Sequence, residues 1–255
     1  MLYSKIKLLQ FNKYKFKDVF TSLFLFISMV SFAQLNNQLG TPFVKNFTKK
    51  QVKKDLKIFD ISQDKNGELY FANPGYLLEY DGFSWKNYSV KDQSDLRAVL
   101  YEDDHHIYTA GIGGFGFWYK NKKANLEYSS LYFKYPSKEA PLLPVFLNIV
   151  SSKESIFFQS FQQIYIYNPT TKELNNIPAI KGFSKLFSSN NRVFVQDVSI
   201  GLFEIIDSKK RIIKGSENIS LDIMGIFEDQ ANGLLLATKN NGFWYLKNGL
   251  LQKKS

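Results

Sequence analysis

DKNGELYFANPGYLLEY, Asp64 to Tyr80, is the stretch on which the reading of the fold turns. It runs as a tight turn over Asp64–Gly67, a short strand, a second turn at Asn73-Pro74-Gly75, and a second strand. Leu69 and Phe71 fall on one face of the first strand, Tyr70 and Ala72 on the other. Aromatic and aliphatic runs bounded by turn formers are the mark of a β-hairpin. The phrase returns as DQANGLLLATKNNGFWYL, Asp229 to Leu246, where Leu234, Leu236 and Ala237 take the places of Leu69, Phe71 and Ala72. A strand–turn–strand phrase that recurs is the sequence sign of a repeat architecture.

Three more copies lie between these two: Glu102–Asn121, Ser155–Asn168 and Arg192–Asp207. Leu69, Ile107, Ile156, Val193 and Leu234 are equivalent, at steps of about 38, 49, 37 and 41 residues. A short apolar segment precedes each copy and a weaker one follows, so one period holds about four strands. No stretch beyond the leader sustains helical periodicity. The expected fold is all-β: a β-propeller of about five four-stranded blades over residues 58–255. The long second step comes from an insertion, Tyr132–Pro144, with three of the seven prolines.

Residues 1–33 have the pattern of a signal peptide. Five lysines precede the uncharged apolar run Val19–Phe32, and Ser31-Phe32-Ala33 offers small residues for a cut before Gln34. That run is shorter than the ~20 residues a membrane helix needs. Removing the leader lowers the net charge from +10 to about +6, with the remaining charges scattered in small groups. Such groups read as solvated loops and edges, and export removes nucleic acid as an expected partner. With no cysteine there is neither a disulfide framework nor thiolate chemistry. Residues 34–57 read as a polar, Lys-rich linker, in which Phe43–Thr48 is expected to supply a closing strand.

The phrase Asp-x-x-Gly-x-Leu-aromatic-x-Ala/Gly, followed by a strand ending in Tyr80-Asp81-Gly82, resembles the two-component regulator propeller repeat. Residues 40–50, 62–85 and 110–119 are similar to the opening of one subgroup of bacterial exported sensors. These combine a propeller with a triple-tyrosine β-sandwich, a membrane helix and a cytoplasmic helix-turn-helix or kinase output. The resemblance implies a periplasmic or cell-surface sensing role, with membrane anchoring in a full-length form. It implies the sandwich, membrane and output domains as partners. The chain stops at Ser255 without them, so the expectation is a partial, open arc of blades.

Four motifs invite sharper readings. Gly111–Gly116 spells G-x-G-x-x-G, but Phe117-Trp118-Tyr119 continues as a strand where a dinucleotide site needs a helix. His105 and His106 are adjacent, and strand neighbours point to opposite faces, which suits a turn better than a metal site. Asp64-Lys65-Asn66-Gly67 lacks the alternating carboxylates and bidentate Glu of a calcium loop. Tyr, Phe and Trp are numerous enough to stack on sugars, but on strands they more often fill the space between blades. No catalytic residue, metal site or cofactor is assigned, and no G-x-S-x-G elbow is present.

The expected function is therefore non-catalytic: recognition of an extracellular ligand, with an oligosaccharide as the leading class. Binding is expected at the channel mouth, where connecting loops differ between copies that share strands. The candidate rim residues are Asn73, Ile112, Gln162, Asp197, Lys239 and Asn240. Two alternatives stand beside this: an enzyme acting on a polysaccharide, and a stand-alone adhesin or scaffold.

Overall fold

The computed structural model describes residues 44–52, 57–90, 95–103, 105–133, 143–229 and 233–254. The expected signal peptide therefore lies outside the described residues. The compact unit Phe47–Ser255 holds all the strands among the described residues. They form five antiparallel sheets of four strands each, in simple meander order. The first sheet is β1 (Asp60–Gln63), β2 (Leu69–Asn73), β3 (Tyr76–Tyr80) and β4 (Trp85–Ser89). The second is β5 (Leu96–Asp103), β6 (His106–Gly111), β7 (Gly114–Lys120) and β8 (Leu126–Phe133). The third is β9 (Phe146–Ser152), β10 (Ser155–Ser160), β11 (Gln163–Tyr167) and β12 (Leu174–Pro178). The fourth is β13 (Phe183–Ser189), β14 (Arg192–Asp197), β15 (Gly201–Ile206) and β16 (Lys209–Ile212). The fifth is β17 (Ile223–Asp229), β18 (Gly233–Thr238), β19 (Phe243–Lys247) and β20 (Leu250–Lys253). This is the β-propeller arrangement.

The second strands of the first four sheets are buried on both faces, whereas that of the fifth buries only the face turned to the fourth sheet. Tyr70, Ala72 and Leu77 of the first sheet pack on Leu96, Val99, Ile107 and Trp118 of the second. Tyr108, Ala110 and Phe115 meet Phe146, Ile156 and Phe158 in the next interface. Phe157, Ile164 and Ile166 meet Val193, Val195 and Phe203 in the one after. Phe194 and Leu202 then meet Ile226, Leu234, Leu236 and Leu246. Burying each such side chain contributes roughly 1.5–3 kcal/mol.

The first strand of every sheet lies innermost. β5, β9, β13 and β17 together line an open hollow of about 430 Å³, with Asn148, Lys185, Ser188 and Phe227 among its walls. Polar ties join neighbouring inner strands at the repeat spacing. Asp60 Oδ2 accepts the Val99 amide at 3.0 Å and Ser62 Oγ the Tyr101 amide at 2.9 Å, both across 39 residues. Asn148 Nδ2 donates to the Leu186 carbonyl at 2.7 Å, and Ser189 Oγ accepts the Glu228 amide at 3.2 Å. The outermost strands carry charge, as Lys209-Lys210-Arg211 in β16, which discourages edge-to-edge pairing.

Residues 44–52 differ from expectation. Val44–Thr48 joins no sheet, and Lys49–Val52 is a single helical turn, α1. A capping box sets it: Thr48 Oγ1 accepts the Gln51 amide while Gln51 Oε1 accepts the Thr48 amide at 2.8 Å. The turn drops Val52 onto Phe71, Leu78 and Tyr80. Phe47 stands edge-on to Tyr80 and Trp85, with ring centroids 5.0 and 5.1 Å away. Instead of extending a ladder, this segment covers the outward face of the first sheet. The corresponding face of the fifth sheet leaves Phe227 and Phe243 half exposed.

Candidate functional site

Backbone hydrogen bonds place the turns after each second strand beside the entries to the inner strands, at one end of the fold. The Ile112 amide donates to the Asp95 carbonyl at 3.0 Å and the Gly113 amide to Pro144 at 2.8 Å. Phe183 donates to Phe161 at 2.7 Å, Val198 to Gly182 at 2.8 Å, and Lys239 to Asp222 at 2.9 Å. These bonds pair the loops at that end of the fold.

The six expected rim residues have different roles. Asn73 is buried, and its Nδ2 donates to the Lys57 carbonyl at 3.1 Å. Ile112 is half-buried and bridges to Val145 across the end of the sheet. Lys239 and Asn240 are exposed on a turn held by Thr238, whose Oγ1 donates to Gly242 and accepts from Asn241. Gln162 is exposed and lines a cavity. Asp95, at the entry to β5, pairs with Arg97 at 3.0 Å.

Asp197 is fully buried. Its carboxylate accepts the amides of Ile180, Lys181 and Gly182 at 2.7, 3.0 and 3.1 Å, and pairs with Lys210 at 2.9 Å. Burial alone would raise its pKa. The three N–H donors and the Lys210 ammonium outweigh that and hold the carboxyl below its ordinary value. Its oxygens are occupied, so Asp197 positions the Ile180–Gly182 loop and does not face a ligand.

That loop carries the most distinctive surface of that end. The Phe161 ring lies flat against the Gly182 backbone, so close that a Cβ on Gly182 would sit 2.1 Å from the ring. Its other face is open, and the residue is 55% exposed. A cavity of about 450 Å³ opens beside it, lined by Tyr132, Pro144, Val145, Leu147, Phe161 and Tyr165 with Gln162 at its edge. Tyr132 and Tyr165 lie 4.8 Å apart, and burial, with a hydrogen bond between their hydroxyls, raises the Tyr165 pKa. Aromatic walls with a few amides can hold a flat, weakly polar face and orient its hydroxyls. Of the six expected residues, only Gln162 lines this cavity. Its aromatic lining escaped the sequence reading, though Phe161 at a hairpin tip, where polar turn formers are usual, was a usable sign.

The sharper motifs are accounted for locally. Asp64 Oδ1 accepts the Asn66 and Glu68 amides at 2.8 Å each, an Asx turn. Asp103 Oδ1 accepts the amides of His105 and His106 at 2.8 Å, and His106 Nδ1 lies 3.3 Å away. Among the described residues no group of three or more His, Cys, Asp or Glu is placed to hold a metal ion. In the glycine run, a Cβ on Gly114 or Gly116 would meet the β8 backbone at 2.2 Å, so these glycines admit close strand pairing.

No family model matches the chain, and no curated protein matches it. Solved structures do. The extracellular domain of BT4673 from B. thetaiotaomicron, described as a one-component system, is 13% identical, with a TM-score of 0.56 over 82% of this chain and 28% of that one. The extracellular domain of BT3049 from the same organism, described as a hybrid two-component system, is 15% identical, with a TM-score of 0.55 over 80% and 30%. The WD40 repeats of RRP9 are 7% identical, with a TM-score of 0.56 over 78% and 65%. The chain spans under a third of the length of the two Bacteroides domains. Among the described residues no helix is long and apolar enough to cross a membrane. At these identities the likeness establishes the fold: this chain is a run of β-propeller blades.

Proposed function

We propose that this chain is the exported, ligand-sensing propeller segment of a bacterial signal-transduction protein, non-catalytic and specific for an oligosaccharide. The observation that carries the reading is the aromatic cavity at the loop-bearing end, with Phe161 presenting an open ring face beside amide side chains. Sugar rings offer a flat array of C–H groups to such a face and hydroxyls to such amides. The periplasm or cell surface is the matching location, and the Bacteroides neighbours with this fold are extracellular domains of regulators. Signalling then requires further domains: a sandwich, a membrane helix and a cytoplasmic output.

A polysaccharide-acting enzyme would draw on carboxylates at this rim. Asp95 and Asp197 are instead committed to Arg97 and Lys210, which favours binding over acid–base chemistry. The test is calorimetric titration of an oligosaccharide panel against the chain and against Phe161→Ala. A ligand from the panel should bind, and the variant should weaken it by about tenfold or more. Binding that Phe161→Ala leaves intact would place the site elsewhere.

A further inference from the structure

We propose that the Phe59–Arg97 corner between the first two sheets is an anion site that reads an acidic group of the ligand, a deepening that rests on the sensing role proposed above. The site is built on Phe59. The Arg97 guanidinium lies 3.9 Å above its ring and Lys57 Nζ lies 5.1 Å from the same centroid. Two cations are thus gathered within about 9 Å of each other, a repulsive arrangement that an anion between them relieves. The Arg97 side chain is only 23% exposed. Its Nε is buried without a hydrogen-bond partner among the described residues. Such a covered donor costs stability in the absence of a partner.

Among the described residues, the nearby carboxylates Asp95 and Asp60 already have partners. Asp95 takes Nη2 of Arg97, and Asp60 accepts the amides of Ile61 and Val99 at 3.0 Å each. Lys185 on β13 adds positive field at Asp60. Among the described residues, Lys57 and Arg97 thus stand beside carboxylates whose oxygens already serve the fold. The Asn73 amide fixes the Lys57 carbonyl, tying this segment to the end of β2. A carboxylate or sulfate oxygen pair fits an arginine that retains free donors.

Two probes test this on the full chain. Sodium sulfate is titrated against sodium chloride at constant ionic strength while the melting midpoint is followed. Sulfate should raise the midpoint of the natural sequence, and Arg97→Gln and Lys57→Gln should each remove most of that rise. Should either variant fail to fold, the other supplies the comparison. In the second arm, a galacturonate trisaccharide should bind about tenfold or more tightly than its neutral galactose counterpart, and Arg97→Gln should erase the difference. A sulfate response that survives both substitutions, or no response at all, overturns the site. Acidic and neutral trisaccharides binding alike, through Phe161, would overturn it while leaving the rim reading intact. A sulfate response through Arg97 with no saccharide bound would do the reverse.

Discussion

At the scale of single residues, Asp197 and Gly182 show how the site is supported from behind. Asp197 ties three consecutive amides and Lys210 in a buried place, so removing it leaves those groups unpaired. Asp197→Ala should cost about 3 kcal/mol in urea unfolding. Its carboxyl is held below the ordinary range, so its contribution is present above the unfolded-state pKa near 3.8 and is lost as pH falls through the folded value. The stability difference between Asp197→Asn and the natural sequence should therefore narrow as pH drops below about 4, which equilibrium unfolding across pH would show. Gly182 acts differently. A methyl there must push the Phe161 ring away, and because that ring is half exposed it can swing into solvent. Gly182→Ala should thus leave the melting temperature within a few degrees while weakening ligand binding as much as Phe161→Ala does. Equal binding by Gly182→Ala and the natural chain would separate the platform from the site.

At the scale of strands and sheets, two glutamines join successive blades. Gln159 Nε2 donates to the Ser160 carbonyl and reaches Phe183 at 3.4 Å. Gln196 Nε2 donates to the Leu221 carbonyl at 2.9 Å. The positions are equivalent, and their counterparts Ala72, Ala110 and Ala237 carry no such group. Gln196→Ala should leave the Leu221 carbonyl without its donor and cost about 1–3 kcal/mol in unfolding free energy, a loss urea denaturation would measure. The hairpins themselves were legible, because Asn73-Pro74-Gly75 and the alternation around Leu69–Ala72 are decided within a few residues. The glutamine ties, the Asp197 anchor and the Phe161–Gly182 stack join residues 13 to 25 positions apart. Nothing in the local pattern marks such partners, and Asp197 looked like a rim carboxylate because its turn alone was visible. The turn of α1 escaped for a related reason. Thr48 and Gln51 make a sound capping box, but Phe43–Thr48 also alternates like a strand, and only the aromatic face of the first sheet decides between them.

At the scale of the molecule, repetition lets one substitution be compared across interfaces. Leu235 in the fifth sheet is the counterpart of Phe194 in the fourth, Phe157 in the third and Tyr108 in the second. In those three sheets the side chain is buried against the next sheet, whereas Leu235 is half exposed beside Phe227, Phe243 and Tyr245. A lysine at Phe194 must bury an unpaired charge and vacate a packed site, so Phe194→Lys should abolish cooperative folding or cost upwards of about 4 kcal/mol. Leu235→Lys keeps its ammonium in water and should shift the midpoint by no more than about 1 kcal/mol. It should also reduce self-association, since the apolar strip from Phe227 to Phe243 is the sort of surface through which sheets adhere. Chemical denaturation of both variants, with light scattering on Leu235→Lys, checks the pair. If Leu235→Lys were as damaging as Phe194→Lys, the outer face of the fifth sheet would be covered in solution, and the stack would extend beyond the sheets described.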